Sequence, residues 1–204
     1  MNPHIIETNN LDFSFGAGQK ILQDLSLAVP QGSIYGFLGP NGAGKTTTIR
    51  LLLGLLKVQS GTIRLFGKDF GKNRLEVLRR IGSLIEQPSL YMHLTGKENL
   101  EVFRLSYQCN KKRIGEVLEL VGLQKAAHKK AKAYSLGMKQ RLAIAISLLH
   151  EPELLILDEP TNGLDPTGII ETRELIRKLN KESGKTIIVS SHMLAEVEKM
   201  ATHV

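Results

Sequence analysis

The feature that most constrains this chain is a glycine-rich run between an apolar segment and an amphipathic one. Residues 33–38 form a compact apolar stretch, which predicts a buried strand. The run Gly39-Pro40-Asn41-Gly42-Ala43-Gly44-Lys45-Thr46 follows directly. A helix is then predicted from Lys45 to about Leu56, because apolar residues recur at three- and four-residue spacing. This order predicts a tight loop that is held between a buried strand and a helix N-terminus.

The loop has the composition of an anion-binding site. Its glycines allow backbone angles that other residues avoid, so successive N–H groups can converge on one anion, and the helix N-terminus favours negative charge. We expect Lys45 to reach the β- and γ-phosphates of a nucleotide, Thr46 to bind Mg²⁺ and Thr47 to reach the α-phosphate. The residues predicted to bind the phosphates are Gly39, Pro40, Asn41, Gly42, Ala43, Gly44, Lys45, Thr46 and Thr47.

A second apolar run ends in two acids. Leu154 to Leu157 predicts a buried strand, and Asp158 and Glu159 follow it. Ligands of open α/β sheets bind at the carboxyl ends of strands. We therefore expect Asp158 to hold Mg²⁺ and Glu159 to act as general base on an attacking water. A strand that ends in acids is common by itself, so this prediction depends on the glycine-rich loop.

The remaining chain alternates short apolar runs with helical patterns, which favours an α/β fold with a mainly parallel sheet. Strands are expected at 5–15, 25–29, 62–66, 81–85 and 186–190. The segment from about 87 to 150 is helical and basic, and we interpret it as a lobe inserted into one domain that covers 1–204. The chain stops at Val204, where a further strand is expected to begin, so we expect a truncated C-terminus.

Composition narrows the class of protein. Of 204 residues 42% are hydrophobic, and Cys109 is the one cysteine, which excludes an intrachain disulfide and zinc sites built on several cysteines. No apolar stretch reaches 18 residues and no secretory signal is present, so we expect no membrane span. The net charge of +7 favours anionic partners or reflects a solvated basic surface. Aromatic residues make up 5%, which weighs against a base-stacking surface for nucleic acid.

The segment Tyr134-Ser135-Leu136-Gly137-Met138-Lys139-Gln140-Arg141 distinguishes between classes of nucleotide-binding proteins. A serine and a glycine at a helix N-terminus predict an ordinary cap or a second phosphate site. The segment resembles the signature loop of ATP-binding cassette (ABC) ATPases, whose usual form is Leu-Ser-Gly-Gly-Gln. The resemblance extends from about Ile5 to Val204 and implies a P-loop NTPase fold with an N-terminal antiparallel β part.

Further motifs of that family follow in order. Asn162 to Asp165 resembles the loop that couples the two sites of a dimer. His192 resembles the switch histidine that contacts the γ-phosphate. Phe15 matches the position where family members stack an aromatic ring on adenine, and Phe13 is the alternative.

Two positions depart from the family pattern. Glu86 stands where a glutamine usually senses Mg²⁺ and the membrane partner, and a glutamate there resembles the bacitracin-resistance and lantibiotic-immunity branch of exporters. In the signature loop, Leu136 and Met138 replace the usual Gly and Gln. Ser135 and Gly137, which would contact phosphate, are kept.

The resemblance implies an ATP- and Mg²⁺-dependent ATPase subunit of an exporter at the cytoplasmic face of the membrane. It implies that ATP on the Gly39–Thr47 loop is closed by Ser135, Gly137 and Asp165 of a second copy or a related subunit. Separate membrane-spanning subunits would dock near Glu86–Leu94. A soluble ABC-type ATPase that acts on ribosomes or DNA is the alternative. A non-enzymatic module is disfavoured because Glu159 is present.

Overall fold

The computed structural model describes residues 3–16, 18–86 and 89–204. The strands in these residues are β1 (His4–Phe15), β2 (Gln19–Pro30), β3 (Ile34–Leu38), β4 (Ser60–Leu65), β5 (Lys68–Asp69), β6 (Ile81–Leu84), β7 (Leu154–Leu157) and β8 (Thr186–Ser191). The helices are α1 (Lys45–Leu52), α2 (Phe70–Leu78), α3 (Gly96–Tyr107), α4 (Lys112–Leu120), α5 (Leu136–Leu148), α6 (Pro166–Ser183) and α7 (Leu194–Glu198). The predicted α/β fold class is confirmed.

The strands form two sheets of different character. β2, β1, β4 and β5 lie in that order in an antiparallel sheet, with bulges along β1. β3, β8, β7 and β6 form a parallel sheet in that order. Parallel strands need crossovers, which helices usually provide. The chain returns to this sheet after α7, where His203 forms a parallel bridge with Tyr35 of β3.

The parallel sheet is buried on both faces, which explains its continuous apolar runs. All four residues of β7 are fully buried. Leu154 and Ile156 join the core beside α1 and the antiparallel sheet, whereas Leu155 and Leu157 join the core beside α4, α5 and α6. Successive strand residues point to opposite faces, so this one strand ties the two cores together.

The segment between β6 and β7 carries α3, α4 and α5, as the helical pattern predicts. Backbone hydrogen bonds join the chain at the start of α3 to the chain just before α5, since Gly96 N donates to the Lys129 carbonyl and Lys132 N to the Met92 carbonyl. Tyr134 is buried, its hydroxyl donates to the Ala126 carbonyl at 2.7 Å, and burial raises its pKa. The residue before the signature serine is therefore fixed in position.

Several predicted boundaries were wrong. α1 ends at Leu52 rather than near Leu56, because Gly54 adopts a left-handed φ of 65° and turns the chain. The short helix α2 begins at Phe70, where the Asp69 carboxylate accepts from Lys72 N and caps it. The strand predicted at 25–29 is longer and spans Gln19–Pro30, paired along β1.

Candidate nucleotide-binding site

The candidate site lies at one edge of the parallel sheet. Because β3, β8, β7 and β6 run in the same direction, the residues just beyond their carboxyl ends meet at this edge. These residues are the loop from Gly39 after β3, His192 after β8, Asp158 and Glu159 after β7, and Glu86 after β6. The strand order thus brings together segments that are more than 150 residues apart in sequence.

The glycine-rich loop folds as its composition predicts. Gly42 and Gly44 have φ angles of 84° and 89°, and Gly44 is the N-cap of α1. A Cβ on Gly44 would lie 2.6 Å from the Leu22 side chain, so glycine is needed here for space and for backbone angle. The buried Lys45 side chain folds back over the loop, and its Nζ donates to the carbonyls of Gly39 at 2.7 Å and Pro40 at 3.2 Å.

Asp158 is held by two hydroxyl groups. Thr46 Oγ1 donates to Asp158 Oδ2 at 2.8 Å, and Ser190 Oγ donates to Oδ1. Ser190 Oγ also accepts from the backbone N–H of Glu159 at 2.8 Å. Ser190 was not predicted from the sequence, although its polar side chain near the end of the apolar strand β8 is a signal for such a role. Ser190 orients both acidic residues from an adjacent strand.

Glu159 contacts both Lys45 and His192. Its Oε1 lies 3.3 Å from Lys45 Nζ, and its Oε2 lies 2.9 Å from His192 Nδ1. The Glu159 backbone is left-handed, with a φ of 47°. Of the three residues proposed from sequence as catalytic, Glu159 therefore contacts both of the others, Lys45 and His192.

A cavity of about 410 Å³ opens beside these residues. Its walls come from the glycine-rich loop, the start of α1 and the ends of β7 and β8. The lining residues are Ile21, Asn41, Gly42, Gly44, Lys45, Thr46, Thr47, Glu159, Asn162 and His192. Loop amides, a lysine and two hydroxyls around one concave space suit a phosphate chain. Ile21 was not predicted from the sequence, and Asn162 was expected only as part of the loop that couples the two sites of a dimer.

A neighbouring cleft of about 360 Å³ holds the predicted metal-binding residues. Thr46, Glu86, Asp158 and Glu159 line it, together with Leu136 and Gln140 of α5. Within the described ranges, no group of three or more His, Cys, Asp or Glu residues could hold a metal ion unaided. Mg²⁺ commonly takes one or two carboxylates together with substrate phosphates and water. The donor set therefore fits an Mg²⁺ ion that is shared with a nucleotide.

The residues expected to act across a dimer lie apart from the cavity around Lys45. Ser135 is exposed and caps α5, since its Oγ accepts from Met138 N at 3.2 Å. Asp165 caps α6 by accepting from Gly168 N at 2.9 Å. In the described part of the chain, neither these residues nor Gly137 lines that cavity, whereas Leu136 reaches the adjacent cleft.

The structure separates the two phenylalanines that were open alternatives. Phe13 is 5% exposed and belongs to the core, whereas Phe15 is 51% exposed. The two rings contact each other edge to face, with centroids 4.9 Å apart. Of the two rings, only Phe15 presents a free face to solvent.

Comparison with known proteins agrees with this geometry. The family model described as ABC transporter matches residues 22–162. The bacitracin transport ATP-binding protein of Bacillus licheniformis is 57% identical over 201 residues, which cover 98% of this chain and 65% of that protein. The lantibiotic transport ATP-binding protein of Streptococcus pyogenes is 45% identical over 197 residues, which cover 97% of this chain and 84% of that protein.

A solved structure supports the same family assignment. A dimeric ATP-binding cassette in a post-hydrolysis state, bound to ADP and Pi, superposes with a TM-score of 0.82 at 26% identity. The match covers 96% of this chain and 91% of that one. The resemblance inferred from the motifs is confirmed, including its bacitracin and lantibiotic branch. The chain belongs to the ABC transporter family, as one of its ATP-binding domains.

Proposed function

We propose that this chain binds ATP together with Mg²⁺, hydrolyses it, and so powers the export of a peptide antibiotic or a similar amphiphile. One observation carries the proposal. The anion-binding loop, Thr46 and Glu159 line one cavity at the edge of the parallel sheet, and Asp158, which accepts a hydrogen bond from Thr46, lines the adjoining cleft. The chain spans 65% of the length of its bacitracin-transport relative, so the complete transporter activity is part of the proposal.

Phosphate binding follows from the loop. Lys45 lines the cavity. Its Nζ contacts two loop carbonyls and the Glu159 carboxylate. A phosphate chain in the cavity offers this ammonium group stronger, charged acceptors. Lys45 then moves from Glu159 to the phosphate, while backbone N–H groups between Gly42 and Thr47 bind the remaining oxygens.

Residues at the start of α1 and just after β7 would hold the metal. Thr46 Oγ1 and the Asp158 carboxylate, which hydrogen bond to each other, would be its ligands, and Glu86 lines the same cleft. Mg²⁺ bound there would neutralise charge on the phosphates.

Glu159 is placed to orient and deprotonate water. Ser190 fixes the Glu159 backbone, and His192 holds the other carboxylate oxygen. Once Lys45 has turned to the phosphate, the freed Oε1 accepts a proton from a water in line with the terminal phosphoryl group. His192 contacts that group from the β8 side. Catalysis of this kind is mostly positioning and charge stabilisation.

The remaining predicted residues bind the adenine ring and a second ATPase subunit in this proposal. Phe15 stacks on adenine with its exposed ring. Ser135, Gly137 and Asp165 remain accessible to a second nucleotide-bound copy or a related ATPase subunit, in a symmetric head-to-tail dimer. The dimeric state of the solved cassette supports this arrangement.

Membrane-spanning subunits are separate partners in this proposal. No helix in the described ranges is long and apolar enough to cross a bilayer. Docking is proposed near Glu86–Leu94, of which residues 87 and 88 lie outside the described residues. A groove of about 750 Å³ opens beside this segment, with the exposed side chains of Leu55, Leu75 and Tyr107 at its rim. It suits a short amphipathic segment of a membrane subunit, and the proposed location of the chain is the cytoplasmic face of the membrane.

The decisive experiment compares Lys45→Ala with Lys178→Ala, a surface lysine on α6. Binding of a fluorescent ATP analogue should weaken at least about tenfold in the first variant, because a charge-assisted contact is lost. Phosphate release should stop. Lys178→Ala should behave as the wild type. Equal ATP binding and turnover in all three proteins would contradict the proposal.

The export function needs its own test. The chain should be expressed with a candidate membrane subunit in a bacitracin-sensitive host, and the inhibitory concentration of bacitracin measured. A rise that disappears with Lys45→Ala supports export. A rise that persists shows that hydrolysis by this chain does not drive it.

A further inference from the structure

Arg50 and Glu86 form an ion pair between helix α1 and the segment after β6, through Arg50 Nη2 and Glu86 Oε1. Arg50 lies four residues after Thr46, so the two side chains share one face of α1, one turn apart. Glu86 lines the cleft that also contains Thr46 and Asp158, whereas Arg50 does not. The ion pair therefore draws a cleft carboxylate towards a cation just outside it.

The backbone at Glu86 carries a second observation. Its φ is 58°, in the left-handed region that residues other than glycine rarely adopt. Glu159, which lines the same cleft, also has a left-handed φ, of 47°. Conformations of this kind cluster at functional sites, where the surrounding structure imposes them. Both acidic residues are thus presented to the cleft by an unfavourable backbone.

The three carboxylates of the cleft have different partners. Glu159 contacts Lys45 and His192, and Asp158 accepts from the neutral hydroxyls of Thr46 and Ser190. Glu86 is paired with Arg50, and the two side chains are 61% and 36% exposed. Exposed ion pairs are weak because water and salt screen them. Of the three carboxylates, Glu86 therefore loses the least interaction free energy when it changes partner.

We propose that Arg50 is a positioning residue that competes with the nucleotide-bound cation for the Glu86 carboxylate. This rests on the proposed binding of Mg²⁺ and ATP. Without the cation, Arg50 holds Glu86 outside the metal position. When the cation binds beside Thr46 and Asp158, Glu86 turns towards it and Arg50 is released. Cation binding by Glu86 and the Arg50–Glu86 ion pair thereby exclude each other.

A double-mutant cycle tests this competition. Arg50→Met, Glu86→Gln and the double variant are compared with the wild type by titrating Mn²⁺ in the presence of a non-hydrolysable ATP analogue, with bound Mn²⁺ measured by electron paramagnetic resonance. Arg50→Met should tighten Mn²⁺ binding about fivefold or more when Glu86 is present. In the Glu86→Gln background the same change should have little effect, because no carboxylate is left to release.

Two controls separate competition from general charge effects. Arg50→Lys keeps a competing cation and should bind Mn²⁺ as the wild type does. Arg64→Met removes an arginine of β4 that donates to the Gly67 carbonyl and lines neither the cavity nor the cleft, so it should change nothing. An equal effect of Arg50→Met in both Glu86 backgrounds would overturn the proposal. Absence of nucleotide-dependent Mn²⁺ binding in the wild type would instead contradict the proposed function.

Discussion

Lys45 and Glu159 form a direct ion pair, with 3.3 Å between Nζ and Oε1, and their side chains are only 8% and 20% exposed. The cation proposed to bind phosphate and the carboxylate proposed to activate water therefore neutralise each other in this state. Phosphate binding and release of the carboxylate become one event, since Lys45 cannot serve both partners fully. This pair links nucleotide binding to the chemical step.

The first prediction concerns Glu159→Gln. Turnover should fall at least about 100-fold, because the general base is lost. ATP should bind as tightly as to the wild type or more tightly, because Lys45 loses its competing carboxylate. Phosphate release and fluorescent-nucleotide titration measure the two effects separately.

Glu182→Gln is the matched control, since Glu182 is an exposed acid on α6 that contacts Lys178. It should leave both measurements unchanged. Turnover close to that of the wild type in Glu159→Gln would remove Glu159 from its catalytic role.

The second prediction concerns Ser135→Arg. The exposed Ser135 caps α5 and lies away from the cavity around Lys45. A large cation there should leave ATP binding to the isolated chain intact and block ATP-dependent dimerisation. Light scattering with ATP, in the Glu159→Gln background, reports the dimer. Ser183→Arg, at the exposed end of α6, is the control and should dimerise. ATP-dependent dimerisation of Ser135→Arg would contradict the proposal that Ser135 contacts the ATP bound to a second copy.

The third prediction separates Phe13 from Phe15. Phe15→Ala should weaken ATP binding by about 1–3 kcal/mol, the usual contribution of an aromatic ring that stacks on a base, with little change in stability. Phe13→Ala should lower the free energy of unfolding by about 3 kcal/mol or more, because it leaves a cavity in the core. Nucleotide titration and urea unfolding of both variants check this, and a reversed pattern would exchange the roles of the two rings.

The fourth prediction concerns the pH dependence of stability. Arg80 forms two hydrogen bonds to the Glu153 carboxylate, at 2.6 and 2.8 Å, and these hold the pKa of Glu153 below its ordinary value of 4.5. A depressed folded-state pKa gives stability that is present above the unfolded-state pKa and lost as the pH falls through the folded-state pKa.

Glu153→Gln should therefore lower the free energy of unfolding at pH 7 by at most about 1 kcal/mol, since the pair is partly exposed. The difference from the wild type should shrink as the pH falls below 4.5 and vanish once Glu153 is protonated in both states. Urea unfolding at several pH values measures it. A difference that does not change with pH would mean that packing, and not charge, is lost.

Sequence patterns predicted the elements of the site because each is local. The loop from Gly39 to Thr46 needs glycine at fixed positions, and a strand that ends in Asp158 and Glu159 is visible as apolar residues followed by acids. Periodicity located the start of α1 and the helical segment that carries α3, α4 and α5. The end of α1 was predicted wrongly. It depends on the left-handed backbone of Gly54, which packs closely against Arg74 and Phe70 of α2.

The sequence by itself determined the kind of chemistry: a phosphate loop, acids at a strand end, a capping serine and a histidine after a strand. Only the tertiary structure decided which of these groups meet, because contact between strands depends on their order in the sheet and not on their order in the chain. That order places Ser190 against Asp158 and Glu159, pairs Lys45 with Glu159, and brings Glu86 to Arg50. It also buries Phe13 and leaves Phe15 free, a choice that two aromatic residues on one strand cannot show by pattern alone.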